Sequence, residues 1–146
     1  PQNILNYMQS NDAGANPAIR QYGVLRRMNG TVYSAAYTGS ACTNYKNHIV
    51  GPNYTIQGNI LLGQHVLDSM EVRFNREQGS LACKLMAAMQ GAKMVGADTR
   101  CADNNSSSLF AFLKVALPTD SFGKPYFLIS LKTQKGDSIE PIDSLQ

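Results

Sequence analysis

The sequence predicts an α+β fold in which helices pack against antiparallel strands. Three observations lead to this prediction. Apolar residues recur at helical spacing in some segments, strand-like runs are joined by a hairpin signal, and the order is helix, two strands, long loop, two helices, two strands. At 146 residues, with a hydrophobic fraction of 43%, the chain is long enough to bury a core. We expect residues 1–146 to form a single domain.

Charge and hydropathy argue against two classes of protein. The net charge is only +3, from 13 basic and 10 acidic residues, and the basic residues are scattered rather than clustered. Nucleic-acid binding usually needs a basic stripe, so we expect no nucleic-acid partner. No apolar run approaches the roughly 20 residues of a membrane span, so we expect no membrane association.

The first elements are a short helix and a hairpin. Ile4, Leu5 and Met8 form one apolar helical face. Asn29-Gly30 is a strong hairpin signal and joins predicted strands over residues 19–28 and 31–38. Small residues at positions 34, 35 and 36 would let another element pack closely against the second strand.

The stretch from Tyr37 to Gly63 is the most unusual part of the chain. It is rich in Gly, Asn, Thr and Tyr, contains no acidic residue, and reads as a long polar loop. Compact domains usually join elements with about 4–6 residues, and longer loops tend to carry function. We therefore interpret this stretch as the wall of a site.

The second half predicts two helices and two strands. Val66, Leu67, Met70 and Phe74 have helical spacing, and Ser80 is an N-cap for a second helix that Gly96 would end. Residues 97–108 read as a second polar loop. Residues 109–117 are nearly all apolar and predict a central strand covered on both faces, paired with residues 126–133.

Three sets of residues are candidates for chemistry. His48 lies in a polar context and is either a structural imidazole or a substrate contact. Gln57-Gly58-Asn59 places two side-chain amides beside a glycine. The amides either donate hydrogen bonds to an oxyanion of a substrate or satisfy backbone groups of the loop at a strand end. Asp98 and Arg100 are either an ion pair at a helix exit or a clamp for a polar substrate.

The cysteines and histidines predict neither a metal nor another cofactor. Cys42, Cys83 and Cys101 show no C-x-x-C spacing, and the two histidines lack a carboxylate at ligand spacing. Two states remain open. One has a disulfide, for which Cys42 and Cys101 are the pair to test because both lie in polar loops, and the other has three reduced thiols. Cys83 falls among apolar helical residues and is expected to be a core thiol.

Four motifs make the sequence familiar when taken together. YTGSAC, NHIVGPNYTIQGNILLG, SLACKLMAAMQGA and GADTR occur in this order. They resemble a bacterial family of unknown function in the N-terminal nucleophile (Ntn) hydrolase superfamily, and the resemblance extends to IEPIDSLQ at the end. Secreted members from Bacteroidetes are similar in NYKNH, GPNY and DTRC, which implies a secreted or periplasmic protein. The resemblance also implies a four-layer αββα sandwich.

The resemblance implies that a specific set of residues lines a pocket. They are Thr38, Gly39, Cys42, His48, Gln57, Gly58, Asn59, Asp98 and Arg100. Ala97 and Cys101 stand where the family often has glycines, which argues against a close backbone approach at that loop.

The function that the resemblance implies is incomplete in this chain. Superfamily enzymes attack an amide with an N-terminal Thr, Ser or Cys whose own α-amine is the base. This chain resembles the central and C-terminal part of the family, so we expect the first strands and the nucleophile in an upstream segment. A companion chain, that upstream segment or a homo-oligomer would then complete the sheets. The alternative is a non-catalytic secreted module for binding or self-assembly on the same fold.

Overall fold

The computed structural model describes residues 1–146 and contains helices, strands and two short 3-10 helices. The elements are α1 (Gln2–Ser10), β1 (Gln21–Met28), β2 (Thr31–Thr38), β3 (Asn47–Val50), β4 (Thr55–Gly58), α2 (Gln64–Arg76), α3 (Leu81–Gly91), β5 (Phe110–Val115), β6 (Phe127–Lys132) and α4 (Pro141–Leu145), with 3-10 turns at Pro17–Ile19 and Thr99–Asn104. The chain divides into two compact units, residues 1–67 and 68–146. The expectation of a single domain stays a prediction.

The strands form three separate two-stranded antiparallel sheets, β1–β2, β3–β4 and β5–β6. The structure combines helices with small antiparallel sheets, so the α+β class is confirmed at this level, whereas β3–β4 and α4 add elements to the predicted order. None of the helices has the length and apolarity that crossing a membrane requires.

The first hairpin forms where the sequence predicts it. Asn29 and Gly30 have φ values of 49° and 81°, as a two-residue turn with both central residues in the left-handed region requires. β2 has the predicted bounds, whereas β1 begins two residues later than predicted because Pro17–Ile19 form a 3-10 turn.

The prediction of a continuous polar loop from Tyr37 to Gly63 is wrong. This stretch contains a second hairpin, in which His48 pairs with Gln57 and Ile49 with Ile56. The strands are only four residues each. Ile56 is the one buried side chain of β4. Such short strands carry too little periodicity to stand out from a Gly- and Asn-rich sequence.

In the second unit, α3 begins at its predicted cap and ends early. The Ser80 hydroxyl accepts a hydrogen bond from the Cys83 N–H at 3.3 Å. The helix ends at Gly91, five residues before the predicted stop. A Cβ at Gly91 would lie 2.6 Å from the Ser69 carbonyl oxygen of α2, so a glycine is required for the two helices to approach this closely.

The prediction that β5 is covered on both faces is wrong. Ala111, Leu113 and Val115 are buried, but Phe110 and Phe112 are 53% and 55% exposed. Apolar residues occupy both faces of this strand, so a run of consecutive apolar residues could not distinguish a one-sided strand from a central one.

The C-terminal tail belongs to the core of the second unit. Ile142 and Leu145 of α4 pack with Ala111 of β5 in one apolar cluster. A polar group, the tail cluster, anchors this helix and consists of Asn104, Ser106, Ser107 and Glu140. The Glu140 carboxylate caps α4 by accepting from the Ile142 N–H at 3.1 Å and accepts from the Ser107 N–H and hydroxyl at 2.7 and 2.8 Å.

Candidate functional site

The second hairpin packs against the small-residue face of the first. The Ser34 hydroxyl on β2 donates to the Gly51 carbonyl at the end of β3. A Cβ at Gly23 of β1 would lie 2.4 Å from the Thr55 hydroxyl and 2.8 Å from the Gln57 amide oxygen of β4. Small residues on β1 and β2 therefore allow the close approach of the two hairpins, as the sequence predicted for positions 34–36.

Gln21 at the start of β1 connects the two hairpins. Its amide nitrogen Nε2 lies 3.0 Å from the Thr38 hydroxyl, 2.9 Å from the Gly58 carbonyl oxygen and 3.3 Å from the Asn47 carbonyl oxygen. Its amide oxygen accepts from the Asn59 side chain at 2.8 Å. Sequence reasoning missed Gln21, since strand pairing and the packing of the two hairpins bring it to this position.

His48 joins the same network through Thr38. The Thr38 hydroxyl lies 2.9 Å from His48 Nδ1, and the His48 backbone N–H donates to the Asn47 amide oxygen at 2.9 Å. We call this network, composed of Gln21, Thr38, Asn47, His48, Gly58 and Asn59, the hairpin seam. His48 is half-buried in it.

The seam ends at solvent beside two of the predicted amides. Gln57 and Asn59 are exposed, and Gln57 lies directly opposite His48 in the ladder between β3 and β4. Directly opposed residues of an antiparallel pair point to the same side of a sheet. The structure therefore brings His48, Gln57 and Asn59 to one region and places Thr38 with them.

Gly39 and Cys42 lie behind the seam and support it. A Cβ at Gly39 would lie 2.1 Å from the Ala18 carbonyl oxygen, so this position accepts only glycine without a backbone shift. The buried Cys42 thiol donates to the Arg20 carbonyl at 3.4 Å. These contacts tie the segment after β2 to the segment before β1.

Asp12 holds the residues on both sides of Gln21. Its side chain, 5% exposed, accepts from Arg20 Nε at 2.8 Å and from the Tyr22 hydroxyl at 3.1 Å. The Arg20 guanidinium, helped by two backbone N–H donors in the preceding loop, lowers the pKa of the Asp12 carboxyl to about 2. Asp12 is ionised above that pH and fixes the backbone that presents Gln21.

Asp98 and Arg100 belong to the second unit and bind each other. Arg100 Nη2 lies 2.6 Å from Asp98 Oδ2, and Arg100 Nε also donates to the same carboxylate. Asp98 caps the 3-10 helix at Thr99–Asn104 by accepting from the Arg100 N–H at 3.0 Å. The pKa of Asp98 is lowered, first by the Arg100 hydrogen bond. The contacts are those of the ion-pair alternative.

All three cysteines are free thiols in the structure. The disulfide between Cys42 and Cys101 is not formed there, and the alternative of three reduced thiols describes what the structure contains. Burial is the main cause that raises the pKa of the Cys101 thiol. Cys83 is exposed, so the expectation of a core thiol is wrong.

The second unit contains a groove of its own. It measures about 460 Å³ and is lined mostly by apolar side chains, including Met86, Leu113 and Phe127. None of the nine predicted pocket residues lines it.

Across the chain, no three His, Cys, Asp or Glu side chains come together as ligands for a metal ion.

Comparison with known proteins identifies the family. The model of DUF1028, a family of unknown function, matches residues 1–142. The chain belongs to this family. A crystal structure of a DUF1028 protein from Silicibacter pomeroyi is similar at 27% identity with a TM-score of 0.54, over 62% of this chain. The aligned part amounts to 40% of that protein's length. A comparison with curated proteins finds no match.

Proposed function

We propose that this DUF1028 chain is the downstream portion of an Ntn-type amide hydrolase acting on a linear amide or peptide. The nucleophile is an N-terminal Thr, Ser or Cys carried by a segment outside residues 1–146. It attacks the amide carbonyl carbon while its α-amine takes its proton, and the C–N bond breaks as that proton passes to the departing amine. Water then attacks the acyl-enzyme, which releases a carboxylic acid and restores the nucleophile. His48, Gln57 and Asn59 orient and polarise the carbonyl.

The observation that carries this proposal is the open end of the hairpin seam. Side-chain amides and an imidazole converge there on one side of β3–β4, and neutral preorganised donors stabilise the negative charge that develops on a carbonyl oxygen. Gln21 and Thr38 hold these groups at fixed positions from behind. Such an arrangement suits binding of a carbonyl.

The proposed complete enzyme has the four-layer αββα architecture of the superfamily. Two-stranded sheets with open edges in both units are consistent with further strands from an upstream segment or a companion chain. The aligned region amounts to less than half of the similar protein from Silicibacter pomeroyi, which supports a larger functional protein. A secreted or periplasmic location is part of this proposal and rests on the motifs alone.

The second candidate is a binding or self-assembling module, and one observation favours it. Phe110, Phe112 and Leu128 on the outer face of β5–β6 are each more than half exposed. Clustered exposed apolar residues are typical of a surface that another chain or segment covers. A homo-oligomer formed through this face would bury these side chains and would need no catalytic activity.

Intact-mass measurement with N-terminal sequencing of the protein purified from its source tests the enzyme proposal. We expect a polypeptide that begins with Thr, Ser or Cys, either fused to this chain or bound to it. A β-lactone probe, which acylates nucleophiles, should then add its mass to that first residue. Material containing only residues 1–146, or an upstream segment without such a residue, would contradict the proposal and favour the binding module.

Variants of the seam connect the chemistry to this chain. Asn59→Ala should lower kcat on an amide substrate by about 10²-fold if Asn59 donates to the oxyanion. The matched control is Asn53→Ala, an exposed asparagine in the turn between β3 and β4. Equal rates for the two variants would show that Asn59 has no part in the chemistry.

A further inference from the structure

The contacts of the hairpin seam favour one set of hydrogen-bond directions, beginning at Gln21. The Gly58 and Asn47 carbonyl oxygens can only accept, and both face the same end of the Gln21 side chain. That end must therefore be the amide nitrogen. The amide oxygen then faces the Asn59 side chain, whose nitrogen donates to it.

The orientation of Gln21 determines the direction of the next bond. Gln21 Nε2 also lies 3.0 Å from Thr38 Oγ1, and the hydroxyl oxygen accepts from it. The Thr38 hydroxyl proton then needs an acceptor, and the partner that the structure provides is His48 Nδ1 at 2.9 Å. A hydroxyl that donates to the imidazole leaves Nδ1 without a proton.

We infer that Gln21, acting through Thr38, holds His48 in the neutral tautomer with its proton on Nε2, so that His48 is a hydrogen-bond donor and not a base. A neutral imidazole has one donor and one acceptor nitrogen, and Thr38 occupies the acceptor. Nε2–H is left for an acceptor oxygen of a ligand. The fitting ligand class is an amide carbonyl or a carboxylate, presented beside the exposed amides of Gln57 and Asn59.

This inference gives Gln21 and Thr38 a positioning role that deepens the proposed function. The ligand class rests on that proposal, but the tautomer does not, because it follows from hydrogen bonds within residues 1–146. A donor at Nε2 polarises a carbonyl, whereas a base at the same nitrogen would activate a nucleophile. The two roles require opposite protonation at one atom, and so they can be distinguished.

Nitrogen-15 NMR of the histidine side chains tests the tautomer without any substrate. At pH 8.5 we expect His48 Nδ1 at the shift of an unprotonated nitrogen and Nε2 at that of a protonated one. The Thr38 hydroxyl proton should exchange slowly with solvent. A proton on Nδ1 would overturn the inference, whether or not the protein hydrolyses amides.

Two substitutions of Thr38 test its positioning role. Thr38→Val keeps the shape of the side chain and removes the hydroxyl, so His48 should populate both tautomers. Thr38→Ser keeps the donor and should restore the single Nε2–H form. If Thr38→Val folds, as circular dichroism would report, and still shows only the Nε2–H form, the role assigned to Thr38 and Gln21 is wrong. If it does not fold, the wild-type and Thr38→Ser spectra decide.

Titration with N-methylacetamide tests the ligand class. The His48 Nε2–H resonance should move in a saturable way, and the His65 resonance, from an exposed histidine, should not. Equal movement of both resonances, or none, would overturn the assignment of an acceptor-oxygen ligand. Absence of binding with the Nε2–H tautomer intact would overturn the ligand class and count against the proposed function on which it rests, but it would leave the tautomer standing.

Discussion

The hairpin seam and the tail cluster are both networks of polar side chains, but one is open and the other is closed. In the tail cluster, Asn104, Ser106 and Ser107 are at most 2% exposed, and their side chains are paired with protein groups. In the seam, the network runs from the half-buried Gln21 to the exposed Asn59. A closed network leaves no donor for a ligand, whereas an open one does.

The difference also assigns different physical roles to similar residues. Glu140 in the tail cluster anchors α4, so that Ile142 and Leu145 are buried. Gln21 in the seam holds two hairpins whose facing residues are small, and its bonds determine which atoms remain for a ligand. Buried polar groups without partners are costly, so breaking the closed network should affect stability and breaking the open one should affect binding.

The largest effect is expected for the rigid wall behind the seam. Gly39→Ala would place a Cβ 2.1 Å from the Ala18 carbonyl oxygen, which is backbone and cannot move aside cheaply. We expect a loss of about 3 kcal/mol in the free energy of unfolding, measured by urea denaturation. Ser40→Ala, at the exposed neighbouring position, is the control and should change it by less than about 0.5 kcal/mol. Equal free energies of unfolding for the two variants would show that the backbone around Gly39 accommodates a Cβ.

A matched pair of asparagines compares the two networks directly. Asn104→Ala removes the partner of the Ser106 hydroxyl and of the Gly136 N–H and should cost about 2 kcal/mol in urea unfolding. Asn59→Ala removes one exposed bond that water can replace, and should cost less than about 0.5 kcal/mol. Similar losses for both variants would contradict the distinction between a closed and an open network.

The acid dependence of stability should report Asp12. Its pKa is lowered to about 2 in the folded state, against about 3.9 in an unfolded chain, so its contribution is fully present above pH 4. This contribution is lost as the pH falls from about 4 through 2. Asp12→Asn should reduce the change of stability with pH between about 4 and 2, measured as urea unfolding midpoints across this range. Parallel curves for the variant and the wild type would show that Asp12 does not support the start of β1.

The smallest effect is expected at the exposed ion pair. Arg100→Ala removes the partner of Asp98, but the arginine side chain is 69% exposed, and such pairs contribute less than about 0.5 kcal/mol. Thermal unfolding of the variant should therefore differ little from that of the wild type. A clear loss of ligand binding without a loss of stability would instead return Asp98 and Arg100 to the candidate site.

The sequence alone was sufficient wherever a local signal determines the structure. Asn29-Gly30 predicted its turn because few residue pairs adopt two positive φ values, and Ser80 predicted the start of α3 because its hydroxyl caps the first turn. His48, Gln57 and Asn59 were predicted from residue type and motif, and their role in a site stays a prediction, although the structure places His48 directly opposite Gln57.

Tertiary structure alone decided which residues support that site. Gln21 lies 38 residues from Asn59 and is brought to it by two strand registers and by the packing of small residues between the hairpins. The exposure of one face of β5 likewise could not be predicted from its run of apolar residues, since burial depends on what packs against each face. Local propensity acts over a few residues, whereas a polar network is assembled by contacts between distant segments.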